Sequence, residues 1–292
     1  MEFQLSAPSP LENMHFDNVR EPQPSAVVEA KPDRAPRRSL IPALLLLVVA
    51  AGGVLVAYEM HTAHYSAKHI TEYAKTLTYQ LQAAPAQQVV YPEAGPFDER
   101  HGYTKLPVLL PRLLERGFKV TAQAEFSPAL NQYAQQGFFP PYREKVQSGL
   151  FLADCRNETI FDFNYPQRVY TDPRTIPHVV AQSLLFIENR NLLKIPAQAN
   201  PVMDWPRFVM AALSQVGKVL SVGGQSAGGS TLATQIEKFR HSPQGLTQNF
   251  KDKAIQIVSG TVRVYQHGTN TMAMRTRIVQ DYLNTVPLSS AP

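Results

Sequence analysis

The sequence is poor in sulfur and in charge. Cys155 is the single cysteine of 292 residues, which excludes an internal disulfide and any metal centre built from several thiolates. A lone thiol of this kind is expected as a small buried hydrophobe. Charged residues make up only 17% of the chain, and the net charge of +5 is too small and too dispersed to argue for nucleic acid. It favours anionic partners such as phospholipid or pyrophosphate. No nucleic-acid motif and no internal repeat is present, and no Gly-Lys-Ser/Thr follows a glycine-rich loop, so the chain carries no P-loop. Hydrophobic residues, at 44%, suit a folded protein of one large or two small domains.

What is present is strongly zoned. Residues 1–39 are rich in proline and lack sustained periodicity, so burial there could not offset the entropy of ordering; they read as a disordered tail. Lys31, Arg34, Arg37 and Arg38 gather at its end. The uncharged run Leu40 to Tyr58 follows, close to the ~20 residues that cross a hydrocarbon core. It is too long for the core of a cleaved leader and reads as a transmembrane helix. Positive charge on its N-terminal side predicts a cytoplasmic tail, with everything beyond Tyr58 across the membrane.

Residues 59–147 read as a stalk helix and a small α/β module. Ile70, Tyr73, Ala74, Leu77 and Leu81 fall on one helical face. Of His61, His64 and His69, helical spacing would let the first pair share a metal, but an interfacial position just outside the bilayer explains them as well. The pattern predicts a helix over Leu106 to Glu115, a strand over Lys119 to Phe126, and a helix over Ser127 to Gln136 capped by Ser127. The aromatics Phe138, Phe139 and Tyr142 suit packing within this module better than contact with headgroups. A hairpin follows, with strands Leu150 to Asp154 and Thr159 to Phe163 around a turn at Arg156-Asn157.

Two stretches in residues 148–292 carry chemistry. The first, Thr175 to Asn189, reads as a helix with Thr175 as its N-cap and Ile176, Val180, Leu184 and Ile187 on one face. Glu188 closes it, at the negative end of the helix dipole, where a carboxyl pKa rises toward the range of a general base. The second, Ala227 to Arg240, has two glycines and Ser230-Thr231 before a helix with Leu232, Ile236 and Phe239 on one face and Thr231, Gln235 and Lys238 on the next. Unpaired N–H groups at such a helix start, glycines that admit close approach, Ser230 as cap or donor, and Lys238 two turns on make an anion site.

That second stretch, GGSTLATQIEK, resembles the GGST-x-x-x-Q-x-x-K signature of the peptidoglycan glycosyltransferases, the transglycosylase family. SLLFIENRNLL is similar to the family's A-x-x-A-x-E-D-x-x-F motif, with Glu188 in the place of the catalytic base. Ser183, Phe186, Asn189 and Leu192 depart from it, and Asn200 to Trp205 stands where the family has His-x-Gly. KDKAIQIVSG aligns with R-K-x-x-E when Lys253 takes the lysine and Gln256 the glutamate, which sets Asp252 on the arginine. RTRIVQDYLNTV is similar to K-x-x-I-L-x-x-Y-L-N-x-V. The motifs occur in the family's order from Leu150 to Pro292.

The resemblance implies an α+β chain: a single transmembrane helix, a small α/β module, and a mainly α-helical, lysozyme-like glycosyltransferase lobe that the family continues for several helices beyond Pro292. It implies a bacterial cytoplasmic-membrane protein with a periplasmic lobe, whose partners are lipid II and the membrane rather than nucleic acid. Glu188 would be the base of an inverting transfer. Gly228, Gly229, Ser230, Thr231, Gln235, Lys238, Lys253 and Gln256 would bind the pyrophosphate, with no dedicated metal ligands and with a divalent cation such as Mg²⁺ compatible. Two other readings stay open. One is a non-catalytic lipid II-binding or scaffold protein, favoured by Gln256 and Asn189; the other is a lysozyme-like glycan-cleaving enzyme. The oligomeric state is not legible.

Overall fold

The structure, a computed structural model, describes residues 41–83, 85–86, 95–210 and 230–286, apart from the side chains of 97 and 99. The tail 1–39 and Leu40 lie outside the described residues. Helix α1 (Ile41–Thr62) has no buried side chain along its 22 residues and is long and apolar enough to span a membrane. It runs past the expected end at Tyr58. At Ala63 the backbone turns left-handed (φ 51°), and Glu59 accepts hydrogen bonds from the Tyr65 and Ser66 N–H groups (3.0 and 2.7 Å), which starts α2 (His64–Ala74).

The expected stalk face is corrected. Helix α2 buries Ala67, Thr71 and Ala74, leaves Tyr73 exposed, and stops at Ala74. Leu81 falls in a strand, β1 (Tyr79–Gln82), where it is exposed. The helix ends there because the chain joins β2 (Gln123–Phe126) antiparallel, Tyr79 opposite Phe126, and Ser127 Oγ bonds the Thr76 carbonyl at 3.0 Å. Strand β2 is shorter than the predicted 119–126.

The intervening helices are α3 (Pro96–Arg100) and α4 (Leu106–Glu115), the latter as predicted; α5 (Pro128–Gln135) follows β2. Ser127 caps α5 by accepting from Leu130 N–H at 3.2 Å, and Pro128 occupies its first turn, where a missing N–H costs nothing. Leu77, Leu130 and Tyr133 share one buried cluster with Val262 of the lobe. The small module is therefore continuous with the lobe rather than a separate body. Phe138 stacks on Tyr133, and the Phe139 N–H donates to Ser259 Oγ at 2.9 Å, so these aromatics pack inward as expected.

Strands β3 (Ser148–Ala153) and β4 (Thr159–Tyr165) form the predicted hairpin, with Leu150 opposite Phe163 and Asn157 left-handed (φ 64°) in the turn. Cys155 lies in that turn and is exposed, against the expectation of a buried thiol. Helix α6 (His178–Glu188) starts later than predicted because Asp172 nucleates a 3₁₀ turn at Pro173–Thr175. Thr175 Oγ1 donates to the Asp172 carbonyl instead of capping α6. Of its predicted apolar face, Leu184 packs inward with Ala181 and Leu185, whereas Ile187 is exposed.

The described part of α7 (205–210) precedes α8 (Leu232–His241), α9 (Phe250–Tyr265) and α10 (Met272–Thr285). Leu232, Ile236, Val264, Ile278 and Tyr282 from the last three helices meet Ile176, Leu192 and Val202 in the main core. Arg275 is fully buried and donates to the carbonyls of Ile195, Pro196 and Ala199, which fixes the connection after α6. These mixed helices and two small sheets agree with the α+β expectation.

Buried ion pairs also join the elements of the lobe. Arg263 of α9 donates to both Glu237 oxygens (2.7 and 3.3 Å) and to the carbonyls of Tyr142 and Pro140. Burial opposes its charge, but Glu237 and Glu144 outweigh that and raise its pKa. Removing one member of a buried pair leaves the other charge unpaired, at a cost of about 3–5 kcal/mol. Arg263→Met should therefore lower the unfolding free energy of the detergent-solubilised chain by about that amount. A change under ~0.5 kcal/mol, the size of an ordinary surface substitution, would show that the pair does not hold the lobe.

Candidate active site

Helix α8 is the element on which the site is built. Its start is fixed by a reciprocal cap: the Thr231 N–H donates to Thr234 Oγ1 (2.9 Å) and the Thr234 N–H to Thr231 Oγ1 (3.4 Å). The Thr231 hydroxyl also donates to the Val202 carbonyl at 2.9 Å, so this buried residue anchors the helix to the chain after α6. The cap is thus Thr231 and not Ser230. Ser230 is left to accept from the Lys253 ammonium at 2.7 Å. Gly228 and Gly229 lie outside the described residues.

One turn into α8, Gln235 joins two elements. Its Nε2 donates to Glu188 Oε2 at 3.0 Å, and its Oε1 accepts from the Tyr282 hydroxyl at 3.1 Å. Glu188, half-buried, is the last residue of α6, and Arg207 Nη1 holds its backbone carbonyl at 3.1 Å. Asn189, buried, ends the helix in a non-helical conformation. Burial, with Glu188 nearby, raises the Tyr282 phenol pKa, so it stays a donor at neutral pH. One oxygen of the carboxylate is thus held by a neutral amide. A second carboxylate does not bond either of these partners.

On the same face, one further turn along, Lys238 lies near Lys253 of α9. Burial, and then the Lys238 charge, push the Lys253 ammonium down to about 8. Ser230, Lys238 and Lys253 together form a desolvated cationic corner with a hydroxyl, the chemistry of an anion site. Gln256 follows Lys253 by three residues on α9. Its side chain is fully buried and donates to Ser242 and Thr247 (both 3.0 Å), which ties the α8–α9 connection together. Asp252, the charge reversal against the aligned arginine, accepts from the Gln248 N–H at 2.9 Å in the first turn of α9, where an acid suits the helix dipole.

The sequence offered no sign of the cavity beside this site. It holds about 680 Å³ and runs from Asn189 and Leu192 past Trp205 and Met210 to Met60 and His61, in the last turns of α1. Its walls are mostly apolar. Trp205, the single tryptophan of the sequence, was the available signal. Tyr282 was also passed over as a site residue, although its motif was noted.

Residues 156–291 match the transglycosylase family model. The match covers a little under half of the chain and takes in α6 to α10, with Glu188, Gln235, Lys238 and Lys253 inside it. No curated protein and no solved structure matches the chain. The transglycosylase match supports a peptidoglycan glycosyltransferase role for this segment, and a glycan substrate of the lipid II type in general.

The state of Lys253 has a measurable consequence. An ammonium with a pKa near 8 is charged at pH 7 and mostly neutral at pH 9, so anion affinity should fall across that interval. The same shift lowers stability below pH 8, and the loss is relieved as pH rises toward the unfolded value of 10.5. Calorimetric titration of the full chain with inorganic pyrophosphate should show binding weakening about tenfold from pH 7 to 9, beyond the effect of the ligand's own ionisation. Lys253→Met should remove that dependence. An unchanged pH profile in the variant would take Lys253 out of the anion site.

Proposed function

We propose that this chain is a membrane-anchored peptidoglycan glycosyltransferase that polymerises lipid II by inverting transfer. The observation that carries the reading is the single hydrogen bond from Gln235 to Glu188, which joins a carboxylate to the helix that also presents Lys238 and leads from Ser230. A base and an anion site held in fixed relation are what transfer from a pyrophosphate donor requires.

In the proposed step, Glu188 takes the proton of an acceptor sugar hydroxyl as its oxygen attacks the donor's anomeric carbon. The carbon–oxygen bond to the lipid pyrophosphate breaks on the opposite face, inverting that centre. Lys238, Lys253 and the Ser230 hydroxyl receive the charge on the leaving group. Pyrophosphate leaves without a proton, so one carboxylate suffices, whereas a glycosidase needs two. The apolar cavity beside Asn189 suits a polyisoprenyl chain, and its lining by the end of α1 supports entry from the membrane surface. The basic residues before α1 support a cytoplasmic tail and a lobe on the far, periplasmic side.

Mg²⁺ does not fit this corner among the described residues. The groups around Lys253 are a hydroxyl and a second ammonium, and Gln256, in the register of the family's glutamate, offers an amide already bonded to Ser242 and Thr247. No step is routed through a cation. That same amide favours the second reading, a binder of the lipid pyrophosphate without turnover.

Labelled lipid II and preformed glycan, given to the full chain in detergent, separate the readings. Polymer is the expected product; bound lipid II without product supports the binder, and shortened glycan a cleaving enzyme. Glu188→Gln should leave lipid II binding nearly unchanged and lower polymerisation by about 10²-fold or more. Equal turnover in wild type and variant would remove Glu188 from the mechanism.

A further inference from the structure

A second polar cluster lies at the opposite end of α8 from the candidate site. Asp98 of α3, Glu144 of the connection between α5 and β3, and His241, the last residue of α8, each offer one ligand atom within 4.8 Å of the other two. All three are enclosed: their side chains are 3, 5 and 10% exposed. His241 Nε2 lies 3.0 Å from Glu144 Oε1 and 3.7 Å from Glu237 Oε2, yet it has no aligned hydrogen bond among the described residues. The other ring nitrogen, Nδ1, faces Asp98 Oδ2 at 3.9 Å, so the imidazole lies between the two acids.

The surrounding charges leave that space negative. Glu237 is taken up by Arg263, and Arg240 holds Glu144 through Oε2 at 2.9 Å, leaving Oε1 directed at the imidazole. Arg240 also reaches Asp281 at 3.6 Å. Among the described residues, Asp98 has only His241 within ion-pair reach, at 3.9 Å. A carboxylate whose second oxygen is held by a guanidinium is the usual support of a metal-ligating oxygen. Phe139, with its ring centroid 4.6 Å from that of His241, fixes the imidazole plane.

We infer that Asp98, Glu144 and His241 form a structural site for a first-row divalent cation, Zn²⁺ before Mn²⁺ because an imidazole nitrogen is among the ligands. The cation would fasten α3 and the 136–147 connection to the C-terminal end of α8. The backbone there is already close: a Cβ at Gly95 would collide with the Arg240 carbonyl, so α3 enters directly against this helix end. The site shares no residue with the Glu188–Lys253 corner and does not depend on the proposed reaction.

The test uses the full chain in detergent, stripped with a chelator and titrated with Zn²⁺ by calorimetry. One tightly bound equivalent is expected, and Asp98→Asn and His241→Gln should each weaken it by more than the ~10–100-fold cost of losing an outer-sphere partner. No uptake, or uptake equally tight in both variants, would overturn the site and leave His241 as a buried ion-pair residue. X-ray absorption at the zinc edge of the wild-type chain decides independently of how the variants fold. One imidazole with carboxylate oxygens is expected; two or more imidazoles would place the metal on His61, His64 or His69 instead.

Discussion

The pairing of Glu237 with Arg263 sets the position of α8, and the site follows from that position. Helix α8 is ten residues long and buries side chains of both kinds, so its polar members must find partners inside the protein. Glu237 takes Arg263 of α9, and Arg240 takes Glu144 and the Thr285 hydroxyl of α10. With that face committed, helical spacing turns Gln235 and Lys238 to the other side. There Gln235 meets Glu188 of α6 and Tyr282 of α10, so one neutral amide spans three helices. The geometry of the carboxylate is therefore a consequence of a buried ion pair on the opposite face of the same helix.

The separation of the two ends of α8 has an energetic logic. The helix starts on a threonine cap, and Ser230 just before it is met by Lys253 of α9, an environment that favours an incoming anion. At its end the acids outnumber the arginines that hold them, which favours a cation. Each imbalance alone would strain a buried region, because an unpaired charge inside a protein costs several kcal/mol. A bound anion at the helix start and a bound cation at its end would also suit the dipole, which favours negative charge near the N-terminus and positive charge near the C-terminus.

Much of this was legible in the sequence, for local reasons. The long apolar helix α1, α4, the Ser127 cap and the hairpin each depend on patterns within some twenty residues, and each is found close to where the pattern put it. Most of the corrected features depend on partners far along the chain, Thr175 with Asp172 being the local exception. The helix after Ile70 stopped early because β2, some forty residues on, recruited Tyr79–Gln82 into a strand. Thr175 was diverted by Asp172, and Ser230 by Lys253. Gln256 was assigned from a motif register alone, and its buried amide bonds Ser242 and Thr247. The site residues Glu188, Gln235, Lys238 and Lys253 came from resemblance, since spacing alone does not bring α6, α8 and α9 together. Asp98, Glu144 and His241, spread over 144 residues, left no local signal at all.

The account rests on Gln235 transmitting the position of α8 and α10 to the Glu188 carboxylate, and a double-mutant cycle on kcat/KM with Gln235→Leu and Tyr282→Phe measures that coupling directly. If the Tyr282 hydroxyl acts by orienting the Gln235 amide, its loss should matter only while the amide is present. The double variant should then be no slower than Gln235→Leu alone, with an interaction energy of about 0.5–3 kcal/mol. Strictly additive effects, within ~0.5 kcal/mol, would contradict the account, because they would mean that the two side chains act on the reaction independently.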